Sequence, residues 1–126
     1  EEEYINYCII FYNDDEETEV GRIENYHYGD DFASSGHLYL VRLVGRGRED
    51  ANRVIEQMAE RGIACNVHYK PLPMMTAYKQ LGFDIANYPN AYAFFENEVT
   101  LPLNTRMSDE DVEYVIENFV EVVKGL

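Results

Sequence analysis

Residues 37–69 read HLYLVRLVGRGREDANRVIEQMAERGIACNVHY, and a change of hydrophobic period inside this stretch decides the fold. His37–Val44 is dense in β-branched and large apolar residues and is bounded by Gly36 and Gly45, the pattern of a strand covered on both faces. Past the GRGRE turn, Ala51, Val54, Ile55, Met58 and Ala59 recur at i, i+3, i+4, i+7 and i+8, which predicts an amphipathic helix over 50–61 that stops at Gly62. IACNVHY then predicts a second strand over Ile63–His68.

Working outward toward the C-terminus, Met74–Leu81 predicts a short helix closed by Gly82, and Asn90–Glu98 another introduced by Pro89. Val99–Leu101 is a short strand at an edge or ending at Pro102, which has no N–H for a ladder. Ser108 opens SDED, a capping box completed by Asp111, and Val112, Val115, Ile116, Phe119 and Val123 form one apolar stripe; a helix over 108–124 is expected, with Ile116 and Phe119 in the core. Toward the N-terminus, Ile5, Cys8, Ile9 and Tyr12 fall at helical spacing, although the run Tyr7–Tyr12 also suits a buried strand; a helix is the expectation. The polar stretch that follows reads as a connector with an extended piece near Val20–Ile23. These readings divide the chain into a helical or connector segment, 1–30, and a domain over 31–126 that packs with it as one compact unit. The order predicts an α/β (α+β) sandwich, a small sheet of about three strands with helices packed on it.

The 126 residues suffice for one ordinary domain, and 46% hydrophobic with 27% charged is a globular mixture. Ten basic against 24 acidic side chains leave a formal charge of −14, which repels nucleic acid and anionic membranes. Neither a signal peptide nor a membrane-spanning apolar run is present, so a soluble, cytoplasmic protein is expected. Cys8 and Cys65 are expected to be reduced core residues.

Most candidate chemistry dissolves on inspection. GRGRE contains GxG without the third glycine that a dinucleotide fingerprint requires, so it reads as a plain strand-to-helix turn. His27, His37 and His68 are not spaced for one helix face and no CxxC accompanies them, so no metal site is expected. No GxSxG is present. What remains is HYKPLP, residues 68–73. Lys70 precedes Pro71 and is biased to extended backbone, and Pro73 resists helix, so the loop is stiff and suited to a binding site at a strand end. The alternative is that Tyr69, Leu72, Met74 and Met75 merely plug the core beneath a connector.

Three separated segments in order, SSGHLYLVRL from Ser34, MAERGIACNVHYKPLPMMTAYKQLGF from Met58, and VTLPLNTRMSDEDVEYVIENF from Val99, closely resemble the C-terminal part of the pyridoxal-phosphate-dependent nucleotide-sugar aminotransferases, the DegT/DnrJ/StrS family. The resemblance runs from about Ser34 to Val120. It departs at Pro73, where many members carry histidine, and in the tyrosine-rich, acidic residues before 30.

The resemblance implies the small C-terminal domain of a fold-type-I enzyme, a portion of a longer protein whose large domain supplies the Schiff-base lysine and most contacts to pyridoxal 5'-phosphate. Lys70, Lys79 and Lys124, the only lysines, match no Schiff-base motif, so no catalytic residue is expected in this chain and the chain alone should be inactive. By resemblance, His68 faces substrate or cofactor, Tyr69 and Lys70 line the sugar-nucleotide entrance, and His37 sits near the same cleft. The implied reaction of the whole enzyme moves an amino group from glutamate to a keto group of a nucleotide-linked deoxysugar for cell-surface polysaccharide or glycan synthesis, in a homodimer. A stand-alone, non-catalytic α/β binding or interaction domain is the second reading.

Overall fold

A computed structural model describes the backbone of residues 8–12, 19–24 and 28–126, and side chains from residue 29 onward. Four strands, β1 (Cys8–Tyr12), β2 (Glu19–Glu24), β5 (Tyr39–Val44) and β6 (Glu98–Leu101), form one antiparallel sheet in the order β1-β2-β5-β6. A two-stranded ribbon, β3 (Tyr28–Gly29) with β4 (Phe32–Ala33), lies between β2 and β5 in sequence. The register sets Ile23 opposite Leu43 and Val41 opposite Val99. Helix α1 (Arg48–Glu60) follows β5, short helices α2 (Thr76–Gln80) and α3 (Pro89–Phe95) precede β6, and α4 (Asp109–Lys124) closes the chain. The expected mixed fold, a small sheet with helices packed on it, is the one observed, with four strands in the main sheet rather than about three.

Period decides which face is core. Val41 and Leu43 of β5 and Val99 and Leu101 of β6 alternate onto the face that meets Ala51, Val54 and Met58 of α1 and Val115, Phe119, Val122 and Val123 of α4. Gly45, at φ 77°, makes the turn from β5, and Gly62, at φ 76°, ends α1 in the left-handed conformation that a side chain disfavours. Ser108 and Asp111 form the expected capping box: the Asp111 N–H donates to Ser108 Oγ at 3.1 Å and the Ser108 N–H to Asp111 Oδ2 at 2.9 Å.

Several expectations require correction. Residues 8–12 are strand β1, not the helix expected there, because in so short an apolar run the two periods coincide and pairing with β2 decides; Ile5–Tyr7 lie outside the described residues. The extended piece near Val20–Ile23 is β2. Strand β5 buries Val41 and Leu43 fully but Leu40, Arg42 and Val44 only partly, so its second face is half covered. Helix α3 ends at Phe95 instead of reaching Glu98, because Arg42 Nη2 donates to the Ala93 carbonyl at 3.1 Å and Arg48 Nη1 to the Phe95 carbonyl at 2.8 Å, satisfying the last carbonyls.

The strand expected over Ile63–His68 is reduced to a single bridge, Asn66 with Thr100. Beyond it, side chains take the donors that a ladder would use: the Val67 N–H donates to Asn66 Oδ1 at 2.8 Å and the His68 N–H to Glu98 Oε2 at 3.0 Å. On α4, Ile116 is 53% exposed and Val112 is exposed too, so the core face is centred on Val115, Phe119 and Val122 and the stripe read from sequence is wider than the surface that covers it. Phe119→Ala should therefore lower the unfolding free energy by about 3–5 kcal/mol, and Ile116→Ala by no more than about 0.5 kcal/mol. Urea unfolding of both variants checks this, and equal losses would place Ile116 in the core after all.

Candidate functional site

The His68 loop and strand β6 are built as one unit. On β6, Val99 and Leu101 face the core, so Glu98 and Thr100, two apart, share the opposite face. That face is closed too: Glu98 has 0% exposure and Thr100 is buried. Asn66 binds the edge of β6 through both its backbone groups, donating to the Thr100 carbonyl at 3.0 Å and accepting from the Thr100 N–H at 2.8 Å. This delivers His68 to the same two residues. Its N–H donates to Glu98 Oε2, its Nδ1 lies 2.9 Å from Thr100 Oγ1, and the Thr100 hydroxyl donates to Glu98 Oε1 at 2.5 Å. The His68 ring is half-buried and meets the Tyr69 ring edge-on at 4.7 Å, across a cis peptide bond.

Charge around Glu98 is arranged from two sides. Withdrawal from water pushes its carboxyl above the usual value, opposed by the Thr100 hydroxyl, the His68 N–H and the positive charge of Arg48. Burial in turn holds Arg48 below its usual value, opposed by Glu98. Arg48 donates through Nε to Asn52 at 3.0 Å and through Nη1 to the Phe95 carbonyl, lies over the Phe95 ring at 5.0 Å, and keeps its Nη2 buried without a hydrogen-bond partner. Arg42 braces the same corner by donating to Asn97 Oδ1 at 3.1 Å and lying over Phe94 at 5.7 Å.

The sequence model of the DegT/DnrJ/EryC1/StrS aminotransferase family matches residues 15–120. The chain belongs to this family. Relatives within it include the spore coat polysaccharide biosynthesis protein SpsC of Bacillus subtilis, 33% identical over 76% of this chain and 25% of its own length. Another is the UDP-4-amino-4,6-dideoxy-N-acetyl-beta-L-altrosamine transaminase of Helicobacter pylori, 30% identical over 73% of this chain and 24% of its own. Among solved structures, the PLP form of Spr1654 from Streptococcus pneumoniae superposes with a TM-score of 0.77 at 55% identity, covering 82% of this chain and 26% of that one. Helicobacter pylori PseC, an aminotransferase involved in the biosynthesis of pseudoaminic acid, gives 0.67 at 28%, covering 74% and 25%. The chain thus spans about a quarter of the length of the relatives it matches.

Within this DegT/DnrJ/EryC1/StrS domain, the residues singled out from sequence fall in different settings. His68 is half-buried at the edge of β6, whereas Tyr69, at 68% exposure, and Lys70 project from the loop. Leu72 and Met75 are exposed as well, so Tyr69, Leu72 and Met75 do not plug the core. His37 is exposed just before β5, and no hydrogen bond joins it to the His68–Thr100–Glu98 chain. Cys65 is a free thiol that burial pushes up to about 11; His27 and the side chain of Cys8 lie outside the described residues. Among the described residues no group of three or more His, Cys, Asp or Glu is placed to hold a metal ion, and no helix is long and apolar enough to cross a membrane. Glu98 and Thr100 were not singled out from sequence. Their signal is two polar residues at i and i+2 in an otherwise apolar strand.

Because folded Glu98 holds its proton more tightly than the unfolded chain does, the native state carries more protons between the ordinary glutamate value of about 4.3 and the raised folded value. Stability from this group is fully present below that window and falls as pH rises through it. The unfolding free energy of the wild type minus that of Glu98→Gln should accordingly decline with rising pH across the window and then level. Urea unfolding at stepped pH measures it, and a difference that rises with pH would contradict the assignment.

Proposed function

We propose that this chain is the small, substrate-facing domain of a pyridoxal-phosphate-dependent aminotransferase that moves an amino group from glutamate to a keto group of a nucleotide-linked deoxysugar, working as a homodimer. The observation that carries the reading is the HYKPLP loop of a DegT/DnrJ/EryC1/StrS domain: His68 is anchored on β6 while Tyr69 and Lys70 stay exposed beside it. Relatives that act on or toward sugars, the altrosamine transaminase and PseC, support the substrate class.

Pyridoxal phosphate, when bound, supplies the electron sink for amino transfer, and it requires a lysine withdrawn from water. Lys70, Lys79 and Lys124 are all exposed, so the residues here do not fit a holder of the cofactor, and that task is assigned to the rest of the protein. The stretch 69–94 leaves Tyr69, Leu72, Leu81, Phe83 and Tyr92 exposed. Such an apolar surface suits a domain packed against the remainder of a longer polypeptide.

In this arrangement the side chains divide the work by position. Lys70 offers a mobile cation to a substrate phosphate, in a chain whose net charge of −14 otherwise repels anions. Tyr69 rims the entrance, His37 borders the same cleft, and His68 addresses the reacting end of the sugar.

In the full-length protein, Lys70→Ala should raise KM for the nucleotide sugar by about 10- to 100-fold with kcat nearly kept, the loss of one charge-assisted contact of about 1.5–3 kcal/mol. His68→Gln should lower kcat more than KM. Steady-state kinetics with a thermal melt of each variant decides the matter. Unchanged kcat/KM in both, with intact folding, would remove the loop from the site.

A further inference from the structure

Thr100 has one hydroxyl proton and two close neighbours that compete for it, and the way it is spent sets the protonation pattern of His68. Glu98 lies at the buried end of the chain. As a carboxylate it is an acceptor only, and it already accepts the His68 N–H at 3.0 Å on Oε2. The Thr100 hydroxyl points its proton at Oε1, so Oγ1 has only lone pairs left for the ring nitrogen 2.9 Å away. His68 Nδ1 must then carry a proton. In a neutral imidazole that leaves Nε2 bare, and among the described residues nothing donates to it.

We propose that Glu98 and Thr100 are positioning residues that hold neutral His68 in its Nδ1–H tautomer, so that Nε2 meets the substrate as a hydrogen-bond and proton acceptor. The role rests on the reading of His68 as substrate-facing; the hydrogen-bond logic does not. If a substrate group gives a proton to Nε2, its bonding pair stays with the substrate and the ring becomes imidazolium. Nδ1–H keeps donating to Thr100 throughout. Returning the proton from Nε2 restores the starting state.

The same logic predicts the effect of a substitution that keeps the shape. In Glu98→Gln the amide oxygen accepts the His68 N–H, and the amide nitrogen donates to Thr100 Oγ1. The Thr100 proton then turns toward His68 Nδ1, which must be bare, so the tautomer switches to Nε2–H. Thr100→Ser preserves the original chain, and Thr100→Val abolishes it.

The test is the imidazole nitrogen spectrum of the 15N-histidine-labelled chain at a pH of about 9, above the ordinary histidine range, with the His68 signals identified by their loss in His68→Gln. Wild type and Thr100→Ser should show Nδ1–H, Glu98→Gln should show Nε2–H, and Thr100→Val a mixture. Wild-type His68 in the Nε2–H form overturns the proposal even if no variant folds, and so does an unswitched Glu98→Gln.

Kinetics of the full-length protein complete the test. Glu98→Gln should lose about 100-fold or more in kcat while Thr100→Ser retains it. If His68→Gln is damaged and Glu98→Gln switches tautomer yet keeps its turnover, the positioning role is refuted while the substrate-facing reading of His68 stands. If His68→Gln turns over normally, that reading fails and the positioning role with it.

Discussion

The wholly buried carboxylate of Glu98 is the constraint on which the rest of the site depends. An ionised group at 0% exposure is tolerated only when its oxygens are satisfied. Here one oxygen takes a main-chain N–H from the His68 loop and the other a hydroxyl from its own strand. The first of these bonds crosses from β6 to a segment that makes only one backbone bridge with it. Removing either donor would leave a buried acceptor unpaired, so the demand of the carboxylate for partners is also what holds the loop in place.

The position of Glu98 is itself inherited from the elements around it. Val99 must face the core beside Val41, which turns Glu98 to the other side of the sheet. Two arginines, Arg42 from β5 and Arg48 from the first turn of α1, end α3 by binding its last carbonyls and stacking on Phe94 and Phe95, and so set where β6 begins. Arg48 adds a positive charge that partly offsets the burial of Glu98. Core packing, helix termination and site electrostatics thus meet at one corner of the molecule. What projects from this corner is the half-buried ring of His68 and, beside it, the exposed side chains of Tyr69 and Lys70.

Much of the fold was legible in residues 37–124, where period and punctuation agree: the apolar run of β5 between two glycines, the i, i+3, i+4 spacing of α1, and the capping box of α4. Reading failed where a tertiary partner decided between local options. Cys8–Tyr12 carries both periods, and pairing with β2 made it strand. Ile63–His68 has strand composition, yet Asn66 and Glu98 side chains replaced the ladder. Ile116 belongs to a true apolar stripe but lies beyond the surface available to cover it. For the site, His68 and its neighbours were visible because two prolines set them apart, whereas Glu98 passed unnoticed since its partner is thirty residues away in sequence. The sequence pattern also makes Glu98 the last residue of a helix over Asn90–Glu98, and an acid at a helix end looks like a solvated charge until the fold draws it into β6 and buries it.

The central claim, that Glu98 pins the His68 loop to β6, is tested most directly by native-state hydrogen exchange at the His68 amide. The account predicts protection within about tenfold of the Thr100 amide, which is bonded to Asn66 in the same unit, because both open only when the loop leaves β6. Exchange of the His68 amide at the rate of an unprotected peptide, with Thr100 still protected, would contradict it.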